Sequence, residues 1–178
     1  MPGVVTLSNV SATVDLGRAL AGTGRLRVSS CDVALTRGAI NAALKTALRE
    51  HESLTITVEE ITEGVVILKG RYGIGRFGGE VHLRLTSAGC VHVDLEGFSA
   101  MGLPVGQIRI LREKLADQLR QTIPVMPGLT RGRGGERLVT VDPRVLAKAY
   151  MLDLPPIETL QAHGDAIEIH FAGRTQSV

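Results

Sequence analysis

Three short segments in the middle of the chain alternate between apolar and polar residues, and this pattern limits the possible folds more than any other feature. The apolar positions are Leu54, Ile56 and Val58, then Val81, Leu83 and Leu85, then Val91, Val93 and Leu95. Alternation with period two buries one face of a strand and leaves the other in water, as in antiparallel sheets. Together with residues 65–72, these segments predict a meander of four antiparallel strands.

Glycines at the turns predict the register of two hairpins. Facing residues of an antiparallel pair share one side of the sheet, and the compact arrangement places Leu85 opposite Val91. A three-residue loop, Ser87 to Gly89, then ends on a glycine, which supplies the left-handed conformation that such loops need. The same rule predicts a loop of residues 62–64, with Ile61 opposite Val65.

The alternation fails between residues 65 and 68, where all four side chains are apolar. A strand that is apolar on both faces has to be covered on its outer face by another segment, a partner subunit or a ligand. One hypothesis is therefore an interaction module with a solid core and no ligand, which forms a homodimer through Val65 and Ile67.

Two amphipathic helices are predicted beside the meander. The first spans residues 36–50, begins at the capping residue Thr36 and carries Ile40, Leu44 and Leu48 on one face. The second spans residues 107–121. Two of its apolar-face positions are Leu111 and Leu115.

The rest of the sequence predicts an extended start over residues 4–16 and 25–35 and a Pro/Gly loop over residues 124–135. Asp142 and Pro143 begin a short helix, and a hairpin over residues 157–171 closes the fold. We expect one α+β domain over residues 1–173, in which a curved antiparallel sheet packs on or wraps around the two amphipathic helices. Residues 174–178 are expected to form a loose tail.

Composition and charge argue against several classes of protein. A net charge of +2 and an aromatic content of 3% do not favour nucleic acid as a partner. No apolar run reaches the roughly 18 residues of a membrane span, and the first residues lack the features of a signal peptide. We therefore expect a cytoplasmic protein, at most peripheral to a membrane. Cys31 and Cys90 are expected to be free and buried.

No motif in the sequence predicts a catalytic, cofactor or metal site. Residues 73–78 match GxGxxG, but a strand follows them instead of the helix that dinucleotide binding needs. The hairpin register pairs His82 with Asp94 beside His92, a set that could relay a proton or bind zinc, although polar pairs on a wet face are ordinary. Arg131 and Arg133 lie in the Pro/Gly loop and could contact an anion such as a lipid headgroup.

Three short segments and the order of the elements carry a family resemblance. They are Ala39-Ile40-Asn41-Ala42-Ala43-Leu44, Val141-Asp142-Pro143 and Leu154-Pro155-Pro156-Ile157. Over about residues 5–172 the chain resembles a single module of the TULIP superfamily of lipid-binding proteins, and it is most similar to the bacterial phospholipid-binding LmeA-like branch.

The resemblance implies a non-enzymatic protein that holds an acyl chain in an apolar groove between sheet and helix. The groove would be lined by inward aliphatic residues: Ile40, Leu44, Leu48, Ile56, Val58, Leu83, Val93, Leu111 and Leu115. Aliphatic walls suit acyl chains, which need burial and no directed hydrogen bonds. The same rows would equally fill a dry core, and this alternative stays open at this point.

Overall fold

The computed structural model describes residues 5–14, 26–49, 53–73, 75–101 and 105–173, and it has an α+β architecture of two sheets. The five-stranded sheet contains β1 (Val5–Val14), β2 (Leu26–Thr36), β9 (Leu152–Asp153), β10 (Ile157–His163) and β11 (Ala166–Ala172). Its order is β1-β2-β11-β10, and β9 pairs with β2 in parallel.

The six-stranded sheet holds the predicted meander and one further hairpin. It contains β3 (Leu54–Thr62), β4 (Val65–Tyr72), β5 (Gly75–Leu85), β6 (Val91–Ala100), β7 (Leu129–Gly134) and β8 (Arg137–Val141). Its order is β3-β4-β5-β6-β8-β7, and every neighbouring pair is antiparallel. The predicted meander is therefore confirmed.

The described helices are α1 (Arg37–Ala47), α2 (Val105–Thr122) and α3 (Pro143–Lys148). The Thr36 hydroxyl accepts the amide N–H of Ala39 at 3.2 Å, so the predicted cap of α1 is confirmed. The Asp142 carboxylate caps α3 in the same way. None of the described helices combines the length and the apolar character needed to cross a bilayer. The predicted tail, residues 174–178, lies outside the described residues.

One apolar cluster joins the two sheets and two of the helices. It contains the inner face of the six-stranded sheet, which we define by Ile56, Leu68, Val81 and Leu95. The same cluster includes residues from β10 and β11 of the other sheet and from α2. A second, smaller cluster packs β2, β10 and β11 against Val91 of β6. The core therefore lies between the sheets, and α1 and α2 cover parts of it.

The two predicted hairpin registers have different outcomes. The pairing of Leu85 with Val91 is confirmed, and Gly89 has the left-handed φ of 77° that its loop position requires. The pairing of Ile61 with Val65 is wrong, because Thr62 faces Val65 across a two-residue turn.

The shorter turn has a clear physical reason. Glu63 and Gly64 both have positive φ, of 34° and 84°, as a tight two-residue hairpin turn requires. A bulge at Glu59 adds one residue to β3, so Val58 and Ile61 both point into the core although their positions differ in parity. Without the bulge, the register of Val58 with Leu68 would continue to Ile61 and Val65, which is the pairing that was predicted.

The predicted Pro/Gly loop over residues 124–135 is also partly wrong, because β7 occupies its second half. The reason is a tether from α2. Arg120 is almost fully buried and donates hydrogen bonds to the backbone carbonyls of Arg137, at 2.9 Å, and Gly135, at 2.5 Å. This contact holds the β7–β8 hairpin against the helix and aligns β7 with β8.

Candidate ligand-binding site

Eight of the nine residues predicted to line a groove meet at one apolar cluster. Leu48, Ile56, Val58 and Leu115 are buried in it, and Ile40, Leu44, Leu83 and Val93 pack half-buried against it. Leu111 is half-buried on α2 and is not among the described members of the cluster. The structure therefore brings the predicted rows together, while their contact with a ligand stays a prediction.

The side chain of Asn41 fixes α1 on the edge of the six-stranded sheet. Its amide N–H donates to the carbonyl of Val58 at 3.2 Å, and its amide oxygen accepts the backbone N–H of Val58 at 2.6 Å. Since β3 is an edge strand, these two backbone groups have no neighbouring strand to pair with. Asn41 supplies the missing partner, a role that helical spacing alone could not indicate.

A second contact supports the same edge. The Arg37 guanidinium donates to the carbonyl of Glu59 at 2.6 Å and forms an ion pair with Asp165 at 2.7 Å. Because Asp165 lies in the β10–β11 turn, Arg37 links α1 to both sheets. The position of α1 is thus set by side chains near its start, which form polar contacts with the backbone of β3.

The apolar face of α1 is only half covered. No residue within α1 is buried, although Ile40 and Leu44 point at the core cluster. Leu48, just beyond its end, is the first side chain to be buried. A packed core helix normally buries its apolar stripe. Alpha1 therefore leaves aliphatic surface that a further apolar group could cover.

An aromatic pair extends the apolar face and was missed by the sequence argument. The β6 strand alternates inward residues up to Leu95, and a bulge at Glu96 and Gly97 then changes the parity, so that Phe98 turns inward opposite Gly79. Its ring stacks on that of Phe77, with centroids 5.6 Å apart. The only sequence signal was the pair of glycines, Gly79 and Gly97, which often accompany bulges.

The outer-face histidines do not form a site with Asp94. The predicted cross-strand pairing of His82 with Asp94 is confirmed, and Arg84 faces His92 in the same register. However, the Asp94 side chain is only 4% exposed and forms ion pairs with Arg137 and Arg84. His82 instead lies 3.7 Å from a carboxylate oxygen of Glu80 and of Glu96.

The described residues contain no group of three or more His, Cys, Asp or Glu side chains that could hold a metal ion. Both cysteines are free, as predicted, although only Cys31 is buried and Cys90 is half-buried. Burial, with the nearby charge of Asp32, raises the pKa of the Cys31 thiol and so disfavours its thiolate. In the GxGxxG segment, Gly75 already begins strand β5, so a strand follows where dinucleotide binding needs a helix, as predicted.

The two arginines predicted to contact an anion differ in their surroundings. The Arg131 guanidinium donates to the carbonyls of Ile123 at 2.9 Å and Gln121 at 3.3 Å, so it caps the carboxyl end of α2. Arg133 is exposed on the edge strand β7. Contact of either residue with an anion stays a prediction.

A polar cluster on the five-stranded sheet also escaped the sequence argument. His170 of β11 hydrogen-bonds to Asp32 of β2, and Asp32 also accepts the side-chain amide of Asn9. The bond to His170 lowers the pKa of Asp32, with a further contribution from Asn9, and the same bond raises the pKa of His170. The partners lie 138 positions apart, so no local pattern could have paired them.

Four surface clefts, of about 320, 530, 660 and 860 Å³, lie away from the predicted groove. None of them is lined by any of the nine predicted groove residues. In the described part of the chain, the eight clustered groove residues form a packed apolar face. Its rim consists of the four that are half-buried, Ile40, Leu44, Leu83 and Val93. A ligand there would lie along the rim rather than in one of these clefts.

No protein-family model matches this sequence, and the searches of curated proteins and of solved structures found no similar protein.

Proposed function

We propose that the chain binds a lipid or another apolar ligand, without chemistry of its own, along the apolar face between α1 and the six-stranded sheet. The observation that carries this proposal is the half-covered face of α1, where Ile40 and Leu44 reach the core cluster without being buried. The TULIP-like sequence segments support the same function, because that superfamily holds acyl chains between a sheet and a helix.

The chemistry of the rim suits an acyl chain better than a polar ligand. Its half-buried members are Ile40 and Leu44 on α1 and Leu83 and Val93 on the sheet, and none of these side chains offers a hydrogen-bond donor or acceptor. Asn41, which precedes Leu44 by three positions on this helix, has its amide engaged by Val58. Binding would thus be driven by removal of apolar surface from water, at roughly 25 cal/mol per Å².

We expect Leu44→Gln to weaken the binding of a fluorescent fatty acid, cis-parinaric acid, about tenfold, because a buried polar amide replaces an apolar contact. Fluorescence titration measures the affinity, and native mass spectrometry of the purified protein shows any lipid that is carried through purification. Val125→Gln is the matched control, since Val125 is 89% exposed outside the core. The proposal fails if the unmodified protein neither carries an apolar ligand nor binds the probe.

A second candidate function is self-association through the outer face of β4. Val65 and Ile67 lie on that face and are half-buried, and the side chains next to Ile67 in register are Glu60 and Glu80. Neither residue belongs to an apolar cluster of the described residues. A second copy of the chain could therefore cover Val65 and Ile67. A homodimer through this face is the alternative to lipid binding.

We expect Ile67→Lys to dissociate such a dimer while the subunit stays folded, because the new ammonium group would lie between Glu60 and Glu80. A glutamate at this position would add a third like charge and is the poorer test. Light scattering gives the mass of each protein, and circular dichroism checks the fold. A monomeric unmodified protein at micromolar concentration would rule out this second function.

A further inference from the structure

A cleft of about 530 Å³ lies at one end of the six-stranded sheet. Its lining consists of Thr55, Thr57, Lys69, Gly70, Arg71, Arg76, Phe77, Gly78, Ser99 and Met101. Three of these residues are cationic, three carry a hydroxyl group and none is acidic. We call this site the cationic cleft.

Strand pairing brings two cationic side chains of the cleft together. Arg71 of β4 and Arg76 of β5 are direct cross-strand partners, and Thr55 faces Arg71 from β3. Both arginines are exposed, and within the described residues neither guanidinium has a hydrogen bond or an ion pair. Like charges placed directly opposite each other destabilise a sheet. The pair is therefore an uncompensated positive site.

The next row of the sheet forms the floor of the cleft. Thr57, Lys69, Gly78 and Ser99 face one another across four strands. The Lys69 ammonium is already paired with Glu59, so it adds little free charge. The absence of a side chain at Gly78 lets the Ser99 hydroxyl lie close to the floor, because a β-carbon there would come within 3.1 Å of that oxygen.

We infer that the cationic cleft binds a phosphate group, either as inorganic phosphate or as the phosphate of a monoester. Two guanidiniums present several N–H donors in a planar arrangement that matches a tetrahedral oxyanion. The hydroxyls of Thr55 and Ser99 can donate further hydrogen bonds, whereas the Thr57 hydroxyl already donates to the carbonyl of Lys69 at 3.3 Å. The lining contains no carboxylate that would repel the anion. A bound dianion would also relieve the repulsion between the two arginines.

This inference does not rest on the proposed acyl-chain function. The outer-face side chains of the row, Thr57 and Lys69, alternate with the inward Ile56, Val58 and Leu68, so the two sites lie on opposite faces of the sheet. Leu44→Gln should therefore leave phosphate binding unchanged. The failure of one proposal would leave the other standing.

The test is a titration of the ¹⁵N-labelled full chain with sodium phosphate against sodium chloride of equal ionic strength. Binding should shift the amide signals of Gly78, Ser99 and Thr57. We expect Arg71→Gln and Arg76→Gln each to weaken the affinity about tenfold, the lower end of what one charge-assisted contact contributes. Arg109→Gln is the control for net charge, because Arg109 is 79% exposed on α2 and pairs with Glu113.

Two further variants separate a built site from general attraction of anions. Gly78→Val fills the floor of the cleft without changing any charge, and it should weaken phosphate binding as the arginine variants do. The inference is overturned if phosphate shifts signals elsewhere instead, or if Arg109→Gln weakens binding as much as Arg71→Gln. It is likewise overturned if the protein binds neither phosphate nor vesicles that contain phosphatidic acid.

A vesicle arm distinguishes the source of the phosphate. The probe is a phosphatidylcholine vesicle with phosphatidic acid added, whose headgroup is a phosphate monoester, and a pure phosphatidylcholine vesicle is the blank. Retention on the former that is lost in Arg71→Gln identifies a lipid headgroup, whereas binding of soluble phosphate alone identifies a free ligand. Both outcomes support the inference, and retention that survives in both arginine variants contradicts it.

The unfolding temperature distinguishes phosphate binding from a purely structural role of the arginines. In phosphate-free buffer, Arg71→Gln should unfold at or above the temperature of the unmodified protein, because the cross-strand repulsion is gone. Added phosphate should raise the unfolding temperature of the unmodified protein and not that of Arg71→Gln. An arginine needed only for folding would give a lower temperature in both buffers.

Discussion

The Asn41→Ala variant should lower the free energy of unfolding by about 2–4 kcal/mol, since it removes two hydrogen bonds and leaves two buried backbone groups unpaired. The groups are the N–H and the carbonyl of Val58, a residue that is 4% exposed. Alanine favours a helix more than asparagine does. The loss can therefore be assigned to the lost contact with β3. Chemical denaturation followed by circular dichroism measures it.

Thr46→Ala is the matched control for this change. The Thr46 hydroxyl donates only to the carbonyl of Ala42 within the same helix, and the residue is exposed. Its replacement should change the free energy of unfolding by less than about 0.5 kcal/mol. If Asn41→Ala were as mild as the control, water would have to satisfy Val58, and the edge of β3 would be open in solution.

The Asp94→Ala variant should destabilise the fold by about 2–3 kcal/mol, because it removes charge-assisted hydrogen bonds to two arginines that themselves stay partly exposed. The Asp94 carboxylate is almost fully buried on the outer face and binds Arg137 through one oxygen and Arg84 through the other. Its loss leaves two guanidiniums beside each other without a shared counter-charge. Urea denaturation at neutral pH and low salt gives the size of the effect.

Arg84→Ala tests whether the burial of Asp94 explains that loss. The Arg84 side chain is 56% exposed and also pairs with Glu96, so its removal should cost about 1 kcal/mol or less. Arg137 would still neutralise Asp94 in that variant. The structure indicates that both arginines bind the Asp94 carboxylate. Equal losses of the free energy of unfolding for Asp94→Ala and Arg84→Ala would contradict this arrangement.

Much of the meander could be predicted because its strands have one buried face and one face in water, so that every second residue is polar. The register of Leu85 with Val91 follows from that alternation together with one glycine, and both signals are local. The register of Ile61 could not be predicted in the same way, since the bulge at Glu59 shifts the parity by one residue. The bulge has no sequence signal of its own in a strand of ordinary composition.

The candidate sites divide along the same line. The inward rows around Ile56 and Leu115 could be predicted, because burial selects residue types at a fixed period. The roles of Asn41, Arg120 and Asp94 could not, because each depends on a contact with a segment that is distant in the chain. The cationic cleft also escaped notice, since Arg71 and Arg76 become neighbours only when the β4–β5 hairpin closes.

The place of β2 in the five-stranded sheet has a consequence for synthesis of the chain. β2 lies between β1 and β11, and its contact with β11 joins Asp32 to a residue 138 positions further along the chain. During translation, the edge of β2 that pairs with β11 therefore keeps its backbone N–H and carbonyl groups unpaired until almost the whole described chain has been synthesised. Such an edge can pair with another nascent chain. Production of the protein should depend on how well the cell shields that strand during translation.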